Sequence, residues 1–204
     1  IGSRYFKKVT QTMMFLPYFL SWVVVGAFIY NIFNYEYGSL NTFLKSINFE
    51  PVNVYEEVWL WKYILVACNT WKWAGYGSLI YLAAIIGIDN ELYESAEIDG
   101  ASKFQKIRHI TIPMITPQIV VLTLMAIGRI FRGDFGMFYQ VTGNNPLLYN
   151  ATDVIDTYVF RALLELQDFG MASAAGMLQS VLCFIFLIIT NAVVRRIDKN
   201  YALF

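Results

Sequence analysis

Side chains that can do chemistry are sparse in this sequence, and they are densest in one place. The run Asn90–Pro113, NELYESAEIDGASKFQKIRHITIP, holds Glu91, Glu94, Glu97 and Asp99, then Lys103, Lys106 and Arg108, with uncharged runs of membrane-spanning length close on both sides. A charged connection set between such runs does not face lipid and is built to meet something in water. Elsewhere a lone cation, Lys72, stands between Trp71 and Trp73 several residues into an apolar run. A charge so placed in a span faces a bundle interior or a water-filled path, and aromatic neighbours suit stacking on sugar faces. The blander accounts of Lys72 are snorkelling to the outer interface or a structural ion pair. With one His and two Cys in the chain there is no metal-ligand spacing, and Cys68 and Cys183 read as buried thiols. No GxxxxGK run occurs, so no nucleotide is expected to bind this chain. Paired catalytic groups within the apolar runs, as an intramembrane enzyme needs, are missing as well.

The elements that must position these residues are apolar. Of 204 residues 57% are hydrophobic and 15% charged, against about a quarter charged in an ordinary soluble domain. Acidic and basic residues balance at fifteen each, so no global field or basic face points to nucleic acid. The chain begins at Ile1 without a signal-peptide pattern and is expected to be a fragment or processed product.

Four runs reach the ~20 apolar residues that a helix needs to cross a bilayer core. The first is Val9–Tyr35, in which Pro17 lies near the start or marks a kink. The second is Tyr63–Ile88, charged only at Lys72 and opened by the interfacial aromatics Trp59, Trp61 and Tyr63. The third is Ile110–Gly128, opened by Pro113 and Pro117. The fourth is Phe169–Val194, whose start is crowded with Gly170, Ala172, Ser173, Ala174, Ala175 and Gly176, as close helix packing in lipid requires. A soluble helical bundle is the alternative, but a soluble core helix keeps a polar face and the last run has none. The expected fold is therefore all-α, a polytopic transmembrane helix bundle with four spans. Between the spans, Leu40–Ile47 predicts a short helix, and the first part of Gly133–Asp168, with Gly143, Asn144, Asn145 and Pro146, a loop. Val154, Tyr158, Ala162 and Leu166, recurring at i, i+4, predict a further helix. Arg129, Arg132 and Asp134 read as interface anchors.

Basic residues are densest at Arg4, Lys7 and Lys8, at Lys103, Lys106 and Arg108, and at Arg195, Arg196 and Lys199. Lys45, Lys62, Arg129, Arg132 and Arg161 are spread over longer connections. The positive-inside rule then places both termini and the charged stretch in the cytoplasm. Within that stretch, about residues 89–113, Asp89 or Asn90 caps a short helix, and its early acids match the helix dipole. Leu92, Tyr93 and Ala96 share one face. Gly100 ends the helix, and Ser102 with Gln105 fits a capping box for a second one. Lys103, Lys106 and Arg108 are expected toward the C-terminal end of that second helix, and Pro113 at the opening of the next span. The expectation is helix, glycine corner, helix, lying at the membrane surface; a merely solvated connection is the other reading.

The spacing Glu94-Ser95-Ala96, three residues, Gly100, nine residues, Ile110, one residue, Ile112-Pro113 resembles the EAA signature of ABC-importer permeases, Glu-Ala-Ala, three residues, Gly, nine residues, Ile, one residue, Leu-Pro. Ser95 replaces the second Ala and Ile112 the Leu, both small changes. The surrounding YLAAIIGIDNELYESAEIDGAS is similar to the sugar-importer branch, with a tyrosine before the Glu and Asp99-Gly100-Ala101-Ser102 after it. LPYFLSWVVV at Leu16–Val25, VIDTYVFR at Val154–Arg161 and the final RRIDKNYALF resemble its polysaccharide and oligosaccharide permeases. The resemblance covers nearly all of residues 1–204.

That resemblance implies a permease domain of six spans, of which these are the last four. It implies that the loop carrying Glu94, Ser95, Ala96, Asp99, Gly100, Ile110 and Pro113 forms coupling helices seated on a cytoplasmic ABC ATPase dimer. ATP and Mg would be bound by that ATPase and not by this chain, which would itself be no enzyme. The other implied partners are a second permease subunit, an extracytoplasmic solute-binding protein facing the Asp134–Asp168 connection, and the lipid bilayer. The expected function is import of sugars, oligosaccharides foremost, across a bacterial inner membrane. Trp71, Lys72 and Trp73 are the candidates for the substrate path. A permease for peptides, amino acids or phosphate is the nearest rival. A secondary transporter, which would show ionisable pairs at mid-membrane or interrupted helices, is more remote.

Overall fold

The structure, a computed structural model, describes residues 2–197, and of residues 2–5, 7, 166 and 197 the backbone alone. Of the final RRIDKNYALF run, residues 198–204 lie outside the described residues, Lys199 among them. Regular structure among the described residues is helical, without strands. They fall into two compact units: residues up to Gly75 together with Arg132–Met177, and Tyr76–Phe131 together with residues from Leu178 on.

The first unit opens with α1 (Gly2–Phe19) and α2 (Trp22–Phe33), which meet at 98°. The sequence suggests one span over Val9–Tyr35; the structure breaks it at Leu20–Ser21. Pro17 weakens the end of α1 by removing an N–H. Ser21 then turns extended (ψ 152°) and caps α2 by accepting from the Val24 N–H at 3.3 Å. α3 (Ser39–Ser46) forms where a short helix is expected, and buried Asn41 fastens it down. The Asn41 amide donates to the carbonyls of Tyr35 (3.1 Å) and Val52 (3.0 Å) and accepts from the Val52 N–H at 2.9 Å.

The first half of α4 (Trp61–Ile86) enters the core here. Trp61 is fully buried and its Nε1 donates to the Val54 carbonyl at 3.0 Å. Around it gather Val25, Leu65, Cys68, Met137, Val141 and Leu148, each side chain contributing on the order of 1.5–3 kcal/mol of burial. α8 (Phe135–Val141) packs along α2, where Gly26 lies so close that a β-carbon would run into the Gln140 carbonyl. α8 stands where the sequence predicts a loop; its apolar face is short and carries no long period. Asp134 is its N-cap, accepting from the Met137 N–H at 3.2 Å. Beyond a turn at Gly143 (φ +64°) come α9 (Tyr149–Thr152), α10 (Ile155–Arg161) where a helix is expected, and a π turn over Ala162–Leu166.

The second unit holds the rest of α4, then α5 (Asn90–Ile98), α6 (Lys103–Lys106), a π turn at Ile107–Thr111, α7 (Ile112–Ile127) and the later part of α11 (Phe169–Ile197). Leu124 is fully buried, Phe131 and Phe186 meet edge to face at 5.0 Å, and Gln179 donates to the Phe131 carbonyl at 2.9 Å. Two stretches are long and apolar enough to cross a membrane, Lys103–Ile127 and Phe169–Arg196; the bent α1–α2 pair makes a third if counted as one broken span. α4 has the length at 26 residues but carries Lys62, Asn69, Thr70 and Lys72. Large apolar side chains such as Met125, Phe184 and Ile189 are exposed on these helices. In water that would be costly; against lipid or a partner helix it is not. Of the small residues at the start of α11, Gly170, Ser173 and Ala174 are exposed among the described residues, while Ala172, Ala175 and Gly176 are half-buried.

Candidate functional site

The corner at Gly100 is built by local rules. The Asp89 carboxylate accepts from the Glu91 N–H at 3.0 Å and starts α5, with Glu91 in its first turn. The helix ends in a Schellman arrangement: the Ala101 N–H reaches the Ala96 carbonyl at 2.9 Å, and the Gly100 N–H that of Glu97 at 3.0 Å. This geometry puts Gly100 at φ +76°, a left-handed conformation that costs other residues ~1–2 kcal/mol. Nothing lies within 4 Å of the place a β-carbon would take, so the demand at Gly100 is conformational and not one of space. Two residues on, the capping box is complete. Ser102 Oγ accepts from the Gln105 N–H at 3.3 Å, and the Gln105 side chain accepts from the Ser102 N–H at 2.8 Å.

Past the capping box the expectation needs correcting. The second helix does not stop before the span; α6, the π turn and α7 run on as one helix, Lys103–Ile127. Lys103, Lys106 and Arg108 therefore lie at the N-terminal end of a long helix, not at the C-terminal end of a short one. Pro113 sits one residue inside α7 instead of at a boundary. A proline there cannot donate to the carbonyl four residues back and its ring crowds it. The π turn just before it widens the helix, and the Ile112 N–H reaches back five residues to the Ile107 carbonyl.

The structure brings Glu94, Ser95, Asp99, Gly100 and Pro113 to exposed positions and leaves Ala96 and Ile110 half-buried. The supposed apolar face of α5 is split: Leu92 is exposed, while Tyr93 and Ala96 turn inward. Sequence reasoning passed over the two most exposed apolar groups of this corner, Ile98 (88%) and Phe104 (69%). Their signal was an apolar residue beside Gly100 in a charged run. It also missed two cross-corner contacts: Glu97 to Lys106 at 2.5 Å, and the Tyr93 hydroxyl to Thr111 Oγ1 at 2.8 Å. Lys106 donates to Glu97 and its charge is nearby, which together hold the Glu97 carboxyl below its ordinary range.

Lys72 is placed quite differently. It is 7% exposed, and its ammonium donates to the carbonyls of Tyr18 and Leu20 at the α1–α2 break. Those carbonyls lose helical partners where the chain turns, and Lys72 supplies donors. The Lys72 Nζ also lies 4.8 Å from the centre of the Trp22 ring, whose Nε1 donates to Asp134 at 2.8 Å. Trp71 and Trp73 leave α4 on other sides and are partly exposed; Trp73 meets Tyr18 edge to face at 5.5 Å. The three neighbours thus do not converge on one point.

A shallow polar dent in the first unit is lined by Asn144, Tyr149, Asp153, Thr157 and Arg161 among others. Its charges are spent on each other: Arg161 lies 2.5 Å from Asp153 and 3.9 Å above the Tyr149 ring centre. Among the described residues no group of three or more His, Cys, Asp or Glu gathers as a metal site would need.

Residues 2–199 match the family model described as binding-protein-dependent transport system inner membrane component. Protein LplB of Bacillus subtilis (strain 168) is 29% identical over 98% of this chain and 62% of its own length. The polygalacturonan/rhamnogalacturonan transport system permease protein YteP of the same organism is 32% identical over 96% of this chain and 60% of its own. The trehalose/maltose transport system permease protein MalF of Thermococcus litoralis is 30% identical over 90% and 61%. The chain thus spans about three fifths of the length of the curated relatives it matches. Among solved structures, a chain of the bacterial alginate ABC transporter in complex with alginate pentasaccharide-bound periplasmic protein superposes with a TM-score of 0.87. It is 34% identical, covering 98% of this chain and 68% of that one.

Proposed function

This chain belongs to the binding-protein-dependent transport system inner membrane component family, and from that premise we propose that it is the permease subunit of an ATP-driven importer of oligosaccharides, moved by a cytoplasmic ATPase seated on the corner at Gly100. The observation that carries the coupling reading is the corner itself. A capped helix end presents Glu94, Ser95 and Asp99 beside bare Ile98 and Phe104, and such a mixed surface suits a partner's groove better than it suits water. In this reading ATP and Mg belong to the ATPase dimer. A second permease subunit completes the path, an extracytoplasmic binding protein delivers the substrate, and the corner and both termini face the cytoplasm.

The substrate class rests on the relatives, whose names speak of polygalacturonan, rhamnogalacturonan and alginate. The path is proposed to pass the exposed faces of Trp71 and Trp73, with Lys72 holding the backbone behind them. The test is the complete importer in proteoliposomes, with ATP hydrolysis and uptake of labelled oligogalacturonides and alginate oligosaccharides measured. Glu94→Arg and Gly100→Val should release the ATPase on co-purification and abolish ATP-driven uptake, while Gly100→Asn, which tolerates a left-handed φ, should keep most of both. Retention of the ATPase by Glu94→Arg and Gly100→Val would refute the docking reading. Uptake of peptides or phosphate in place of sugars would refute the substrate class alone.

A further inference from the structure

A corner that transmits force must not fold up under load. Gly100 is the freest joint a chain can have, and α5 carries no buried residue that would fix it by packing. What crosses the corner instead is a pair of side-chain contacts. Glu97 meets Lys106 close to the turn, and Tyr93 meets Thr111 farther out. On α5 the two anchors, Tyr93 and Glu97, are four residues apart and share a face. On the facing helix Lys106 and Thr111 are five residues apart. In a regular α-helix five residues diverge by ~140°, and only one of the two contacts would close. The π turn over Ile107–Thr111 changes that, because its i to i+5 bonding widens the helix and brings residues five apart nearer to one face.

We propose that Tyr93 and Thr111 are positioning residues for coupling: brought into line with Glu97 and Lys106 by the π turn, they clasp α5 to α7 so that the two move as one lever. The inference rests on the ATPase-docking reading above. It also gives the π turn and Pro113 a task beyond opening a span, since the proline that disfavours regular α geometry maintains the register the clasp needs. Of the two contacts the outer one counts for more. The Glu97 side chain is 67% exposed, and an ion pair in water is worth little. Tyr93 and Thr111 are both half-buried, where a hydroxyl pair competes less with solvent.

The test uses the complete importer in proteoliposomes and needs no transport substrate. Hydrogen–deuterium exchange is followed in Leu92–Asp99 and in Ile112–Ile127, with and without ATP plus vanadate. In the wild type, trapping the ATPase should change exchange in both segments. Tyr93→Phe and Thr111→Val should keep the ATPase bound and raise basal exchange of α5 by ~5–10-fold. In both variants the response of α5 to trapping should remain while that of α7 is lost. Thr111→Ser keeps the hydroxyl and should behave as wild type, which a purely steric role of Thr111 would not give. A full α7 response in both Tyr93→Phe and Thr111→Val overturns the clasp and leaves the docking reading standing. No response of wild-type α5 to trapping overturns the docking reading itself.

Discussion

The ammonium of Lys72 lies 4.8 Å from the centre of the Trp22 ring, just past the point where α1 turns into α2. A residue of α4 thereby holds together a break made elsewhere in the chain. Its donors go to the carbonyls of Tyr18 and Leu20, and Trp22 is held in turn by Asp134.

Lys72→Met should destabilise the first unit by ~1–3 kcal/mol, because two backbone carbonyls lose their donor in a buried place. Thermal unfolding of the purified permease in detergent measures it, with Trp22→Phe as companion to report loss of the Asp134 bond. A wild-type melting temperature for Lys72→Met would show that water or lipid headgroups replace the ammonium without loss. Transport lost at unchanged stability would instead favour a place for Lys72 in the substrate path.

Gly26→Ala should cost ~1–3 kcal/mol through overpacking, since the added methyl meets the rigid carbonyl of Gln140. Gly77→Ala, with nothing within 4 Å of the new carbon, should be neutral or stabilise α4 by up to ~1 kcal/mol. Parallel melting curves of the two variants decide the matter, and equal shifts would contradict a close approach of α2 and α8.

Asn41→Leu should loosen the Tyr35–Val54 connection, because the Tyr35 and Val52 carbonyls and the Val52 N–H all lose their partner. Limited proteolysis in that connection is expected to speed up by ~10-fold or more. Unchanged cleavage would mean that the connection is held by its apolar residues, Val54 above all, and not by the amide.

The Glu97 carboxyl is held low by Lys106. A depressed carboxyl pKa stabilises the folded form above the unfolded value and ceases to do so as pH falls through the folded one. Wild type and Glu97→Gln should therefore differ in α5 exchange, corrected for intrinsic rates, at neutral pH, and converge below the ordinary carboxylate range near pH 4.5. Persistence of the difference in acid would point to packing and not charge.

Much of the corner was legible because its rules are local. Asp89, Gly100, Ser102 and Gln105 act on backbone groups within a few residues, so their spacing alone announces cap, stop and cap. The helix over Ile155–Arg161 and the apolar runs Ile110–Gly128 and Phe169–Val194, which fall on the two long helices, were legible for the same reason.

What the sequence could not decide depends on partners far along the chain. The 98° break within the first apolar run needs Lys72 to satisfy carbonyls some fifty residues away, and no local pattern announces such a donor. α8 is short and stands because Gly26 lets its backbone come close and Trp22 binds its cap. The join of α6 to α7 through a π turn follows from Pro113, but that this register would line up Tyr93 with Thr111 is a fact of three dimensions. Composition and spacing determined a helical membrane chain with a glycine-cornered pair of helices. Tertiary structure alone decided which broken ends are capped from afar and which contacts cross the corner, since a hydrogen bond between distant residues leaves no period in a sequence.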